Sequence, residues 1–278
     1  MGTHALEQVE LSGERGRASS GPAPVVWRVV REVVLLATLF GVYSAGRQFA
    51  GKHTGSAFDH AREVLSFQHG MHLPDEATIQ HAALQVPHVV EGSNLYYASV
   101  HAPLTAAVLL WLSIWRPNAY PRVRWTMVSL TGLALIGHMV FPLAPPRMMP
   151  GFVDTGLRFG QSVYGPDNSS GVANQFAAMP SLHVGWAALI SLSMILITRT
   201  KWRWLWLLHP IITFGVVVVT ANHYWLDGIV VLILLAISLP LLLRPGLRSD
   251  TPRAKVRDRS RGKDGDGDNS VSPELALK

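Results

Sequence analysis

Between Trp204 and Leu243 the chain carries a single Asp, Glu, Lys or Arg, which is Asp227, and between Leu182 and Thr198 it carries none. Runs of this length without charge constrain the fold more than any other feature of the sequence. In hydrocarbon the backbone has no water to bond to, so each run must satisfy its own N–H and C=O groups as a helix. The rest of the chain follows the same pattern. Only 15% of its residues are charged, against about a quarter in a soluble domain. Mean hydropathy is positive, at +0.23. The expectation is an all-α polytopic membrane bundle.

Six apolar runs mark the expected spans: Val25 to Ala45, Leu95 to Trp115, Trp125 to Phe141, Ser181 to Thr198, Trp204 to Ala221 and Tyr224 to Leu243. Each is long enough for a hydrocarbon core about 30 Å thick. In the first, Tyr43-Ser44-Ala45 is a poor cleavage site behind a long polar leader, so the run reads as an uncleaved span rather than a signal peptide. Residues 25–243 form the membrane domain. Residues 1–24 and 244–278 read as disordered tails. Between the first two spans, "SAFDHAREVLSF" opens with a Ser-x-x-Asp capping pattern and places Phe58, Ala61, Val64 and Leu65 on one face. "LPDEATIQHAALQ" has Pro74 and two acids in its first turn. Both are expected as short amphipathic helices at the membrane surface.

Basic residues set the orientation. With the N-terminus inside, nineteen Lys and Arg fall on the cytoplasmic side and five, Arg47, Lys52, Arg62, Arg147 and Arg158, on the outer side. Both tails are then cytoplasmic, in a multi-pass protein of the cell membrane. This asymmetry accounts for the net charge of +6, so the lipid bilayer is the implied partner and nucleic acid is not. The chain has no cysteine, which excludes disulfides, thiolate catalysis and cysteine-ligated metal.

The topology brings three polar stretches to the outer face: "PLAPPRM" (142–148), "MPSLHVG" (179–185) and "TANHYWLDG" (220–228). His223 and Asp227 are four apart and share a helix face. The carboxylate can accept from one ring nitrogen and leave the other as a nucleophile. His183 can protonate a leaving oxygen. Arg147 offers a planar fork of donors to phosphate, and Ser181 stands at a helix N-terminus, where anions are favoured. Nucleophile, orienting acid, general acid and oxyanion cradle are the set that phosphoester cleavage through a phosphohistidine requires. No cofactor is implied.

"PSLH" followed by "NHYWLD" resembles the signature of the type 2 phosphatidic acid phosphatase superfamily. Together with "PLAPPRM" it is similar to one branch, which includes the fungal inositol phosphorylceramide synthases (the aureobasidin-resistance proteins) and many bacterial proteins. The resemblance covers roughly residues 25–243 and implies a six-span bundle. It implies His223 as nucleophile, Asp227 as its partner, His183 as acid, and Ser181 and Arg147 as phosphate contacts. The implied activity is that of a membrane lipid phosphatase or phosphodiester transferase. An inositolphosphate transferase, passing its group from a phosphoinositide-type lipid to a lipid hydroxyl, is the alternative within the class. A transporter or lipid-binding protein that kept the fold without the chemistry is the alternative outside it.

Two departures bear on the substrate. Phosphatase members carry a Lys-x6-Arg-Pro stretch, where this chain has Val140 and Arg147-Met148. They also carry an Arg six residues before the nucleophile, where this chain has Val217. A doubly charged phosphomonoester is poorly balanced by Arg147 alone; a singly charged phosphodiester suits it better. Arg47, Lys52, Arg62 or Arg158 could supply the missing charge by folding over the site. His53, His60, His69, His72, His81 and His88 crowd the first outer loop, but their spacing completes no metal site. His101 and Pro103 interrupt the second span and His138 falls in the third, His101 on the outer half at a position to line a lipid entrance.

Overall fold

The computed structural model describes residues 54–161 and 175–244, with seven helical positions between 27 and 41. Most of the expected first span, both tails and His53 lie outside the described residues. The rest is helical: α1 (Thr54–Gly70), α2 (Glu76–Leu84), α3 (Val89–Ser99), α4 (His101–Trp115), α5 (Tyr120–Val140), α6 (Thr155–Arg158), α7 (Leu182–Ile197), α8 (Leu208–Val219) and α9 (Trp225–Leu242). Short 3-10 turns cover Pro146–Met148 and Lys201–Leu207. Among the described residues there is no strand, only an isolated parallel bridge between Leu143 and Ala177.

Among the described residues, three helical runs are long and apolar enough to cross a membrane: Tyr120–Val140, Lys201–Val219 and Trp225–Leu242. The pair α3 and α4, bent by 40°, makes a fourth if counted as one span. The bend has a local cause. Pro103 lies in the first turn of α4, where its missing N–H is harmless, but its ring would strike the carbonyl of Ser99 in a continuous helix. Helix α7 is apolar but 16 residues long, shorter than the span expected there. Ile136 and Val140 on α5, Ile211 on α8 and Ile233 and Ile237 on α9 stand exposed. An outward surface of that kind belongs in lipid.

The core lies between α4, α5, α7, α8 and α9, around Leu112, Leu130, Leu189, Ile190, Val217 and Val231. Two glycines set how closely these helices approach. A Cβ on Gly185 of α7 would lie 2.5 Å from Val231 Cγ2, and one on Gly228 of α9 would lie 2.3 Å from the Phe214 ring. Small residues at crossings are how membrane helices gain contact without a hydrophobic drive between them.

A second layer caps one end of the bundle. Ala57, Ala61 and Val64 of α1 pack on Leu143, Ala144, Met149 and Tyr224, so the apolar face expected for α1 is the one it buries. The helix starts at Thr54 rather than at Ser56, and Asp59 pairs with Arg62 instead of serving a cap. In α2, Asp75 accepts from Thr78 N–H as the N-cap. Its buried residues are Glu76 and Gln80. The face that α2 turns inward is therefore polar, not the apolar one a surface helix would hide.

Candidate active site

Main-chain hydrogen bonds tie the three polar stretches together. Arg147 N–H donates to Ala221 O at 2.8 Å, and Ser181 N–H donates to Asp227 O at 3.2 Å. Leu143 N–H donates to Phe176 O at 2.8 Å, which brings in the segment before α7. The stretches thus meet where α5 and α8 end and α7 and α9 begin. Arg116, Arg122, Arg124, Arg199, Lys201 and Arg203 lie at the opposite end of these helices.

His223 is 6% exposed and has its geometry set on one side of the ring. Its Nδ1 lies 2.8 Å from Ala178 O and 3.2 Å from Asp227 Oδ2. Both neighbours are acceptors, so the proton sits on Nδ1 and Nε2 carries the lone pair. Asp227 is fully buried, and its Oδ2 also accepts from Tyr224 N–H at 2.9 Å. The carboxylate therefore holds the start of α9 as well as the imidazole, and Ala178 O is the nearer partner of the ring.

His183 faces His223, with ring centroids 5.7 Å apart. Tyr97 of α3 stacks on it at 4.4 Å, and His101 of α4 tilts against it at 5.0 Å. His101 is 3% exposed and sits behind His183, 5.8 Å from His209; it does not line the cavity.

Arg147 is 7% exposed. It donates through Nη1 to Asn222 Oδ1 at 2.8 Å and through Nη2 to Gln175 Oε1 at 3.4 Å. Its Nε lies 3.5 Å from Asp154 Oδ2. A cavity opens between these groups, lined by Tyr97, His138, Arg147, Gln175, His183, Asn222 and His223. His138 donates from Nε2 to Pro180 O at 3.1 Å. Ser181 is fully buried, its N–H is engaged by Asp227 O, and its hydroxyl has no hydrogen-bonding partner among the described residues. It stands behind the lining rather than on it.

The cavity therefore brings together His183, His223 and Arg147, with Asp227 in contact behind His223. Reading the sequence did not pick out Asn222, Gln175, Asp154 or Tyr97. Asn222 sits beside His223 in "TANHYWLDG", and a neutral amide next to the expected nucleophile was a usable signal. Gln175 and Asp154 had none, because their roles arise from loop folding.

The positions where phosphatase members carry further cations are not on the cavity. Val217 is buried in the bundle core and Val140 is 76% exposed at the end of α5. Of the cations expected on the outer side, Arg62 pairs with Asp59 and Arg158 lies over the ring of Phe159. Arg47 and Lys52 lie outside the described residues. Among the described residues, no group of three or more His, Asp or Glu is arranged to hold a metal. His60, from the crowded outer loop, stacks on Phe141 with ring centroids 4.1 Å apart and bonds Pro142 O.

A family model described as the PAP2 superfamily matches residues 62–241, well over half of the chain and every residue of this cavity. No curated protein and no solved structure matches.

Proposed function

The chain belongs to the PAP2 superfamily, a family of phosphatases and phosphotransferases, and from that premise we propose that it transfers a lipid phosphoryl or phosphodiester group through a phosphohistidine on His223. The observation that carries the reading is the fixed tautomer. Two acceptors around Nδ1 leave Nε2 as the only nucleophilic nitrogen of a ring that faces His183 and opens on the cavity with Arg147.

In the first step His223 Nε2 attacks phosphorus and the bond to the leaving oxygen breaks. His183, as imidazolium, gives that oxygen its proton, and Nδ1–H of His223 holds the ring as charge develops. In the second step the acceptor, water or a lipid hydroxyl, gives its proton to His183 and its oxygen attacks phosphorus. The P–N bond breaks, and both histidines return to their starting states. Arg147, positioned by Asn222 and Gln175, meets the phosphate oxygens. Transfer to a lipid hydroxyl, as by an inositolphosphate transferase, is the version that the low cation count of the cavity supports. The distribution of basic residues supports an extracytoplasmic site in a cell-membrane protein.

The test uses purified full-length protein with radiolabelled lipid phosphomonoesters and phosphodiesters, each with and without a lipid alcohol. The expected result is an acid-labile, base-stable protein label that His223→Ala abolishes. His183→Ala should retain activity on a nitrophenyl ester, whose leaving group needs no proton. A label that survives His223→Ala would overturn the reading.

A further inference from the structure

The charge of Arg147 does not face the cavity alone. Asp154 Oδ2 stands 3.5 Å from its Nε, with the two side chains 4% and 18% exposed. The carboxylate is held there by a construction that extends well beyond the pair. Gln80 of α2 donates from Nε2 to Val153 O and accepts at Oε1 from Val153 N–H, both at 2.9 Å. Asn94 of α3 donates to Thr155 O at 3.1 Å and accepts from Thr155 Oγ1 at 2.9 Å. Gln80, Asn94 and Thr155 are each at most 5% exposed. Asp154 lies between these two clamped residues, and its second oxygen accepts from Leu157 N–H at 3.0 Å. Neither partner of the pair can move away cheaply, since Asn222 and Gln175 hold the other two nitrogens of the guanidinium.

We propose that Asp154 is a specificity-determining residue, which sets the charge of the phosphate the cavity accepts by offsetting part of the charge of Arg147. The proposal rests on the reading that Arg147 meets the substrate phosphate. A fixed carboxylate behind the guanidinium weakens its attraction for any anion and repels the anion as well. Both effects scale with ligand charge, so they penalise a doubly charged phosphomonoester about twice as much as a singly charged phosphodiester. Among the described residues that line the site there is no second Lys or Arg to compensate, and the charge of His183 leaves with the proton it gives to the leaving oxygen. Asp154 thus acts by exclusion, and its removal should widen the substrate range rather than abolish activity.

The experiment compares wild type with Asp154→Asn and Asp154→Ser at pH 8, where a phosphomonoester is doubly charged. Asn and Ser both serve as helix N-caps, so either keeps the start of α6. Hexadecyl phosphate and hexadecyl nitrophenyl phosphate are the two probes. The ratio of kcat/KM for monoester over diester should rise about tenfold in both variants, a middling coupling for contacting charges. The change should appear as a lower KM for the monoester, and Asp154→Glu should stay near wild type. A purely structural role would lower both activities together and leave the ratio unmoved, and that result overturns the proposal. Ligand-induced stabilisation is read alongside, with inorganic phosphate and dimethyl phosphate as probes, because it needs no turnover. Should wild type cleave neither lipid, the catalytic reading fails. A gain in stabilisation by inorganic phosphate, without one by dimethyl phosphate, would still support Asp154 as the selecting group, and no gain would remove it.

Discussion

Inside the bundle, buried hydroxyls turn first to their own helices; at its capped end, buried polar side chains bond across the molecule. Ser193 donates to Leu189 O, Thr213 to His209 O and Thr220 to Val216 O, each one turn back on its own helix. Side chains do bond between helices here, Tyr96 OH to Thr213 Oγ1 at 3.0 Å and Trp186 Nε1–H to Thr131 Oγ1 at 3.1 Å, but the core helices meet chiefly through Leu130, Leu189, Val231 and the two close-approach glycines. At the capped end, Gln68, Glu76, Gln80, Asn94 and Tyr224 reach backbone groups from 61 to 158 residues away. One region is held by shape, the other by matched donors and acceptors. Loss of a partner is therefore local in the first and spreads in the second, because a buried group left unmatched costs about 1–3 kcal/mol.

The largest expected effect tests the region held by shape. Gly228→Leu places a side chain where even a Cβ would lie 2.3 Å from the Phe214 ring. Phe214 packs in turn on Trp225, so displacing the ring also breaks that contact. The expected loss is about 3 kcal/mol or more, from overpacking at a helix crossing. Size-exclusion chromatography in detergent should show little folded protein. A monodisperse, active Gly228→Leu protein would mean the crossing is looser than described.

At the capped end, Gln80→Leu keeps volume but strands both the N–H and the C=O of Val153. We expect a stability loss of about 1–3 kcal/mol and a fall in turnover of at least tenfold, as the segment carrying Asp154 loosens behind Arg147. The bundle should stay folded. That separation, function lost with helices retained by circular dichroism, is what distinguishes the two regions. Parallel loss of both would show that the cap and the bundle unfold together.

Asp227→Asn probes the boundary between them. In a triad where the carboxylate alone fixes the tautomer, this substitution costs about four orders of magnitude. Here Ala178 O holds Nδ1–H at 2.8 Å, closer than the carboxylate at 3.2 Å. The expected loss in kcat is therefore smaller, about 10- to 100-fold. A loss of about 10,000-fold would return the tautomer to Asp227 alone.

The same contrast explains what the sequence disclosed. Charge-free runs and the distribution of Lys and Arg made a helical membrane bundle legible, because hydrocarbon enforces a pattern in every residue of a span. The pairing of His223 with Asp227 was legible from a four-residue spacing, and the nearness of Arg147 and His183 from topology. The polar cap was not. Gln80 grips Val153 and Asn94 grips Thr155 across long loops, and such pairings have no period. The inward face of α2 was misjudged for that reason: Glu76 and Gln80 look like solvated residues until their partners are placed. The break at Val100 was legible as an interruption of the second span at His101 and Pro103, since Pro103 forbids a straight helix through Ser99.

The smallest expected effect comes from Glu76, which ties α2 to the start of α9. Its Oε1 accepts from Gln68 Nε2 at 2.8 Å and from Trp225 N–H, the first residue of α9, at 3.1 Å. Burial pushes its carboxyl above the ordinary 4.5, and the hydrogen bonds from Trp225 and Gln68 only partly offset this. The folded protein thus holds the proton of Glu76 more tightly than the unfolded chain does. Stability from this group is complete below about 4.5 and is lost as pH rises through the folded value. Asp75, beside it, works the other way: its hydrogen bond from the Thr78 hydroxyl holds it below 3.8, so its contribution is present above that value and falls away in acid. The two groups act in different windows and can be separated. Glu76→Gln keeps an oxygen for both donors and removes the titration. In thermal melts in detergent between pH 5 and 8, the decline of wild-type stability with rising pH should be shallower in the variant. At pH 8 the variant should match or exceed wild type by on the order of 1 kcal/mol. A variant less stable than wild type at pH 8 would show that the charged carboxylate is the form that holds the start of α9, and that α2 grips this helix by charge rather than by a neutral hydrogen bond.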